Sequence, residues 1–275
     1  MCVYAIALQC FDNNIYPNIL FNCVGYDPKL RNAIKTIFTK RFGKVDEREW
    51  GLKYMKRIIL TGASDGLGKK FAECCIGEKI EIVALCRTKP SYECNFIPTD
   101  LTDETSMVNA CNTIKNQYAK FDALINCAGV PGIQEPNKIT YNVLENLMKI
   151  NAIAPMFLCS QLFDLIKENG ADIINVGSTI GLKQGYPNQL AYTTSKWALR
   201  GTSFNLQLEL ANTKSRVIQL DVGGMNTQMH EKYTGKKIEN PNEWMKPEDI
   251  ADIMLYTLKL PKQIEISEIV INRKK

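Results

Sequence analysis

From Met55 to the C-terminus, short apolar runs alternate with stretches in which apolar residues recur every three or four positions. The runs are Arg57–Leu60, Ile80–Cys86, Asn95–Pro98, Ala123–Ile125, Asp172–Val176, Val217–Leu220 and Ile269–Ile271. Most are continuous rather than alternating, as in strands covered on both faces. Helical spacing fills the gaps: Met107, Cys111, Ile114 and Tyr118 share one face of a helix predicted over Asp103–Tyr118. Further helices are predicted over Lys69–Cys75, Tyr141–Asn169 and Gln189–Ala211. This alternation predicts an α/β fold, a parallel sheet with helices on both faces. A chain of 275 residues can hold one large domain of this kind or two small ones. The pattern carries no internal repeat and places a single domain over 55–275.

Residues 1–54 follow another pattern and are expected to be an N-terminal extension. Asn13–Asn18 is turn-like, and Leu30, Ile34, Ile37, Phe38 and Phe42 then recur at helical spacing among Lys29, Arg31, Lys35, Lys40 and Arg41. That is an amphipathic basic helix, read as packed on the main domain with a solvated face. A partner or membrane-surface contact is the alternative. Met1–Phe11 is apolar but has no basic leader, and it is about half the roughly 20 residues a membrane span needs.

Composition narrows the picture. Apolar residues make up 45% and charged residues 23%, and the net charge of +5 gives no reason to expect a nucleic-acid partner. The ten cysteines form no Cys-x-x-Cys pair and there is a single histidine, His230, so no metal site is expected. Reduced, buried thiols suit a cytoplasmic protein without a membrane span.

Candidate chemistry begins with Thr61-Gly62-Ala63-Ser64-Asp65-Gly66-Leu67-Gly68, between the first strand and a helix. Backbone N–H groups and the macrodipole at a helix N-terminus attract anions, and glycines let a pyrophosphate approach closely. Tyr192 and Lys196 stand at i and i+4 on one helix face. An ammonium so near a phenol would lower its pKa of about 10 toward neutrality, giving a general acid or base. Ser178 ends the fifth strand, where open α/β sheets bind ligands, although Gly177-Ser178 also reads as a plain turn. Asn151 sits mid-helix, and Pro155 would clash with its carbonyl. A kink with a polar group at the break follows, either a water site or an accident of packing.

Together, Thr61-Gly62-x-x-x-Gly66-x-Gly68, Asn126-Cys127-Ala128-Gly129, Asn151, Ser178 and Tyr192-x-x-x-Lys196 resemble the short-chain dehydrogenase/reductase superfamily, in its compact single-domain branch. The resemblance runs from about Met55 to the C-terminus and implies a Rossmann-like, doubly wound parallel sheet that binds a nicotinamide dinucleotide. It implies catalytic roles for four residues. Tyr192 would exchange a proton with the substrate oxygen and Ser178 would hydrogen-bond that oxygen. Lys196 would hold the ribose and lower the Tyr192 pKa, and Asn151 would support a relay water. It also implies cofactor contacts from Gly62, Ser64, Asp65, Gly66, Leu67 and Gly68, from Asp100 and Leu101 at the adenine, and from Asn126, Ala128 and Gly129 along the groove floor. Tyr192 and Lys196 would touch the cofactor too, with Gly223 and Thr227 at the carboxamide. The chain departs from the family pattern at Cys127, usually asparagine, and at Val222, usually proline. Its Thr88–Glu93 connection is also too short for the helix usually found there.

At the end of the second strand an NAD site would place a carboxylate for the ribose hydroxyls. Here Arg87, a planar fork suited to phosphate, stands with Thr88 and Lys89. NADP is therefore expected rather than NAD. The expected function is hydride transfer between nicotinamide and a small or medium carbonyl or alcohol. The alternatives are a non-catalytic cofactor-binding regulatory module and, more remotely, a nucleotide-sugar epimerase or dehydratase. Val130, Pro131, Thr179, Tyr186, Met225, Met229 and Tyr233 are candidate pocket residues. The resemblance also implies a homodimer or homotetramer built on the helices that hold Asn151 and Tyr192.

Overall fold

The structure is a computed structural model that describes residues 55–182 and 186–274, with Tyr233 described by its backbone alone. The predicted extension and its basic helix lie outside the described residues. Residues 55–258 and 262–275 form one compact unit.

The described strands are β1 (Arg57–Thr61), β2 (Glu81–Cys86), β3 (Asn95–Pro98), β4 (Ala123–Asn126), β5 (Asp172–Val176), β6 (Val217–Val222) and β7 (Glu268–Ile271). They form one sheet in the order β3-β2-β1-β4-β5-β6-β7, every pairing parallel. The α/β, Rossmann-like expectation holds, with the strand order reversing between β1 and β4.

The helices are α1 (Gly66–Gly77), α2 (Glu104–Gln117), α3 (Tyr141–Met148), α4 (Ala154–Gln161), α5 (Phe163–Asn169), α6 (Leu190–Leu210), α7 (Gln228–Thr234) and α8 (Pro247–Lys259). The period-two pleat sorts each strand between two cores. Ile58, Leu60 and Ile82 pack with Phe71 and Ala72 of α1 and with Ile250, Met254 and Leu255 of α8. Ile59, Val83, Leu124 and Ile173 pack with Cys111 and Ile114 of α2, Leu158 of α4 and Ile166 of α5. Burial on both faces is why the strands read as unbroken apolar runs.

The long helix expected over Tyr141–Asn169 is broken instead. A π-helical segment, Lys149–Ile153, follows α3, and Ala154 N–H donates to Lys149 O, five residues back. The wider turn relieves the clash between Pro155 and the Asn151 carbonyl. A second break at Leu162 bends the path by 62° before α5. Among the described residues, no single helix is long and apolar enough to cross a membrane.

Candidate active site

The glycine turn fills the crevice between the carboxyl ends of β1 and β4. Thr61 Oγ1 accepts from Cys127 N and Ala128 N, both at 3.1 Å, tying the two strand ends together. Gly62 has φ +70°, and a Cβ there would stand 2.7 Å from Ala128 Cα. A Cβ at Gly68 would overlap the Gly62 carbonyl oxygen, so α1 can start this close to the strand only with glycine. Asp65 caps α1, accepting from Gly66 N at 2.7 Å, and Ser64 is exposed at the tip. Leu67 turns inward, buried in the core. The cradle fits a pyrophosphate: bare backbone, positive φ and a helix N-terminus.

Tyr92, in the short β2–β3 connection, donates its hydroxyl to Ala63 O at 2.6 Å and braces the turn from outside. Residues 87–94, all described, contain no helix, as their length implied. Arg87, Thr88 and Lys89 are exposed at the end of β2. Asp100 accepts from Thr102 N at 2.9 Å and from the Thr102 hydroxyl at 2.7 Å, and these bonds hold its carboxyl below the usual aspartate range. One of its oxygens is thus committed to its own turn. Leu101 packs half-buried against the α2 side of the core. The Asn126 side chain does not face the groove. It is buried beneath the floor and donates to Asn175 Oδ1 at 2.8 Å, so it supports Ala128 and Gly129 from below.

The reaction end is assembled across β5, β6, α6 and the π-helical segment. Asn151 clamps the chain after β4. Its Oδ1 accepts from Val130 N at 2.8 Å, and its Nδ2 donates to Val130 O and Ser195 Oγ, both at 3.0 Å. A Cβ on Gly129 would lie 3.5 Å from Asn151 Oδ1 and 3.5 Å from Lys196 Nζ, so the structure brings these groups together. Ser178 is hydrogen-bonded with Tyr192. Lys196, buried, donates to Val176 O at 2.9 Å and lies 5.9 Å from the centre of the Tyr192 ring.

The expectation of a Tyr192 pKa lowered by Lys196 needs correction. Burial raises the phenol above its ordinary value, and the bond with Ser178 opposes that only in part. The ammonium sits over the ring and spends its bond on a carbonyl. It is itself pulled down to about 8 by burial, against the opposing influence of Cys127 and Asp221. In this arrangement the neutral phenol is favoured, a proton donor rather than a phenolate.

The far wall is the segment after β6. Gly223 N donates to Ile271 O at 2.8 Å. Gly224 lies under the Trp244 ring, 2.6 Å from where its Cβ would be. Thr227 lies across the groove from Gly66, its side chain 3.8 Å from the position of a Cβ there. Lys232 of α7 reaches over the groove to pair with Asp65 at 3.3 Å. His230 and Arg273 both pack on Trp244, with centroid distances of 4.7 Å and 4.5 Å. Of the pocket candidates, Val130, Pro131, Thr179 and Met225 are half-buried, while Met229 and Tyr186 are exposed, Tyr186 by 75%. The Tyr233 side chain lies outside the described residues.

Sequence reasoning missed a second tier. Asp221 on β6 is fully buried, accepting from Ser178 N at 3.1 Å, Gln219 Nε2 at 2.7 Å and Arg200 Nη1 at 2.5 Å. Arg200 was findable: Tyr192, Lys196 and Arg200 stand at i, i+4 and i+8 on α6 and share one helix face. Asp221 carried no such signal, since a single acid in an apolar strand reads as an exposed alternate position.

Residues 56–237 match the family model for short chain dehydrogenases. An NADP-dependent 3-hydroxy acid dehydrogenase of Schizosaccharomyces pombe is 27% identical over 243 residues, spanning 78% of this chain and 90% of that protein. The dehydrogenase/reductase SDR family member 11 of Homo sapiens is 25% identical over 238 residues, spanning 77% of this chain and 91% of that protein. The alcohol dehydrogenase from the archaeon Thermococcus sibiricus, solved in complex with 5-hydroxy-NADP, shares the fold. Its TM-score is 0.70 at 20% identity, over 79% of this chain and 96% of that one. The sheet order, the glycine turn at its switch point and the match over residues 56–237 converge: the chain belongs to the short chain dehydrogenase family of oxidoreductases.

Proposed function

We propose that the protein is an NADP(H)-dependent oxidoreductase acting on a small or medium carbonyl/alcohol pair, with Tyr192 as general acid and base. The observation that carries this reading is the meeting of Ser178, Tyr192 and Lys196 beside a glycine cradle that fits a dinucleotide. The cofactor would lie with its pyrophosphate on the cradle formed by Gly62, Ser64, Asp65, Gly66, Leu67 and Gly68. Asp100 and Leu101 would border the adenine, and Ala128, Gly129, Gly223 and Thr227 would flank the nicotinamide half. It would supply the hydride.

The chain's own residues do the rest. Ser178 Oγ and the Tyr192 hydroxyl hold the reacting oxygen, and Tyr192 gives it a proton during reduction. Lys196 would steady the ribose side of the cofactor from its place beside the Tyr192 ring. Asn151 keeps the Val130 backbone in line with the groove. Arg87 at the end of β2 supplies the charge for a 2′-phosphate. Support for NADP over NAD also comes from the Schizosaccharomyces pombe relative, which uses NADP, and from the NADP-type ligand in the Thermococcus sibiricus structure.

An apolar stripe left open on neighbouring elements supports a homodimer or homotetramer. Ile153 and Met156 are 42% and 52% exposed, and Trp197 and Leu208 on α6 are 49% and 76% exposed. Light scattering should show a dimer or tetramer that Leu208→Glu weakens. The activity is assigned to residues 55–275, so a chain starting at Met55 should bind NADPH and turn over at a similar rate.

The test of the function is NADPH consumption, followed by absorbance, with a panel of aldehydes and ketones, and the reverse reaction with alcohols. Turnover with at least one carbonyl class, faster with NADPH than with NADH, is expected. NADPH binding without turnover on any of them would leave a regulatory module instead.

A further inference from the structure

The residues Val176-Gly177-Ser178 form the shelf on which the reacting oxygen would rest. Each is held by a different group. Val176 O accepts from Lys196 Nζ at 2.9 Å, Gly177 N donates to Leu220 O at 2.7 Å, and Ser178 N donates to Asp221 Oδ1 at 3.1 Å. Gly177 has no room for a side chain, because a Cβ would overlap Asp221 Oδ1 and Gln219 Nε2. The carboxylate is thus pressed directly against the shelf.

We propose that Asp221, oriented by Arg200 and Gln219, is a positioning residue that sets the Ser178 hydroxyl for the reaction through the Ser178 peptide N–H. This inference depends on the function assigned above to Ser178 and Tyr192.

Every partner of Asp221 is a donor. Ser178 N and Gln219 Nε2 meet one oxygen, and Arg200 Nη1 meets the other at 2.5 Å. The same Arg200 Nη1 lies 2.7 Å from Glu268 Oε1 on β7, so one guanidinium nitrogen joins the two carboxylates. Behind Gln219 the donors line up in one direction. Asn126 Nδ2 donates to Asn175 Oδ1 at 2.8 Å, and Asn175 Nδ2 to Ser203 Oγ at 2.8 Å. Ser203 Oγ donates to Gln219 Oε1 at 2.6 Å. The chain begins under the groove floor, crosses from β4 through β5 and α6 to β6, and ends on the Asp221 carboxylate. Aligned bonds of this kind polarise one another, and a surround made only of donors favours the carboxylate against the burial that raises its pKa. An asparagine at position 221 cannot satisfy the site in either orientation, since its amide would face Arg200 or face Ser178 N and Gln219.

The charge also faces Lys196. The titratable groups around these two are Tyr192 and Arg200 on α6, Cys127 after β4 and Glu268 on β7. Asp221 favours the Lys196 ammonium against the burial that pulls it down, whereas the Cys127 thiol, pushed up to about 12 by burial, stays neutral beside it.

The experiment is Asp221→Asn in the full-length chain, with kcat, KM and the pH profile of kcat/KM measured alongside NADPH affinity and Tm. Loss of one charge-assisted contact of this type corresponds to roughly ten- to a hundred-fold in kcat. KM and the NADPH Kd are expected to stay within about threefold of the wild type. The alkaline limb of kcat/KM should move to lower pH, because Lys196 loses a supporting charge. Arg200→Lys, which keeps a cation at the one contacting nitrogen, should restore most of what Arg200→Gln loses. A folded Asp221→Asn protein with wild-type kcat and an unmoved pH profile would overturn the proposal. So would an Asp221→Asn protein that fails to fold while Arg200→Gln folds and shows normal kcat, since Asp221 would then be structural alone. Tyr192→Phe measured beside them separates the levels. If it retains turnover, the function assigned to the site falls; if it is inactive while Asp221→Asn is not, only the positioning role falls.

Discussion

At the proposed nicotinamide end of the groove, the half-buried pair Ser178 and Tyr192 rests on a buried, hydrogen-bonded base. Lys196 and Asn151 are buried and bonded, and the shelf under Ser178 is met by Asp221 on one side and Lys196 on the other. At the adenosine end, Arg87, Thr88 and Lys89 stand exposed on a short connection, and Asp100 spends one oxygen on its own turn. By strand spacing the two ends are separated by roughly 14 Å, the width from β2 to β5. Buried polar networks lose heavily when one member is changed, whereas exposed cations act through screened and adjustable contacts. The reaction end should therefore fail in rate, and the adenosine end should drift in affinity and cofactor choice.

The sharpest way to break that contrast is Gly177→Ala. Its methyl would overlap Asp221 Oδ1 and Gln219 Nε2, neither of which can retreat without losing bonds. Overpacking of this kind costs about 1–3 kcal/mol. For a domain of this size that is about 3–10 °C in Tm by thermal melt, with kcat also reduced. A Gly177→Ala enzyme with normal Tm and kcat would mean that the reaction end is looser than its bonds imply.

A second test lies in the pH profile. With Lys196 held at about 8 by burial, raising the pH through that value removes its charge from the free enzyme. The kcat/KM profile should therefore fall on an alkaline limb near pH 8. Lys196→Arg, which stays charged throughout, should be slower but should lack that limb.

The adenosine end gives smaller effects. Arg87→Ala should lower the NADPH-over-NADH ratio of kcat/KM by roughly ten- to a hundred-fold, the worth of a charge-assisted bond to phosphate, with kcat at saturating NADPH little changed. Smallest of all is Lys232→Ala. Its pair with Asp65 spans the groove, but both side chains are largely exposed, so NADPH affinity should move by no more than about threefold in a fluorescence titration.

Much of this could be read from the chain itself, for identifiable reasons. Burial on both faces leaves a strand mostly apolar, and Ile173, Ile174 and Val176 marked Asp172–Val176 to the residue. The glycine turn and the Tyr192/Lys196 pair are local patterns whose geometry follows from spacing alone. What could not be read depends on pairing between distant segments. Asn126 faces inward because β4 and β5 register it against Asn175. Asp221 meets Ser178 only once β5 and β6 lie side by side. The direction of the Tyr192 shift was misread because spacing gives the distance to a charge but not the depth of burial around it. The kink at Asn151 was visible through Pro155, whereas the bend at Leu162 has no breaker residue to announce it.

The central claim is that Tyr192 moves the proton in an NADP(H)-linked reduction. Its most direct test is Tyr192→Phe, with single-turnover NADPH oxidation and NADPH affinity measured on the same preparation. The ring still fills its place over Lys196, so binding should remain within a few-fold, while turnover should fall by roughly a hundred-fold or more, the scale of general acid catalysis. Near-normal turnover in that variant would contradict the assignment.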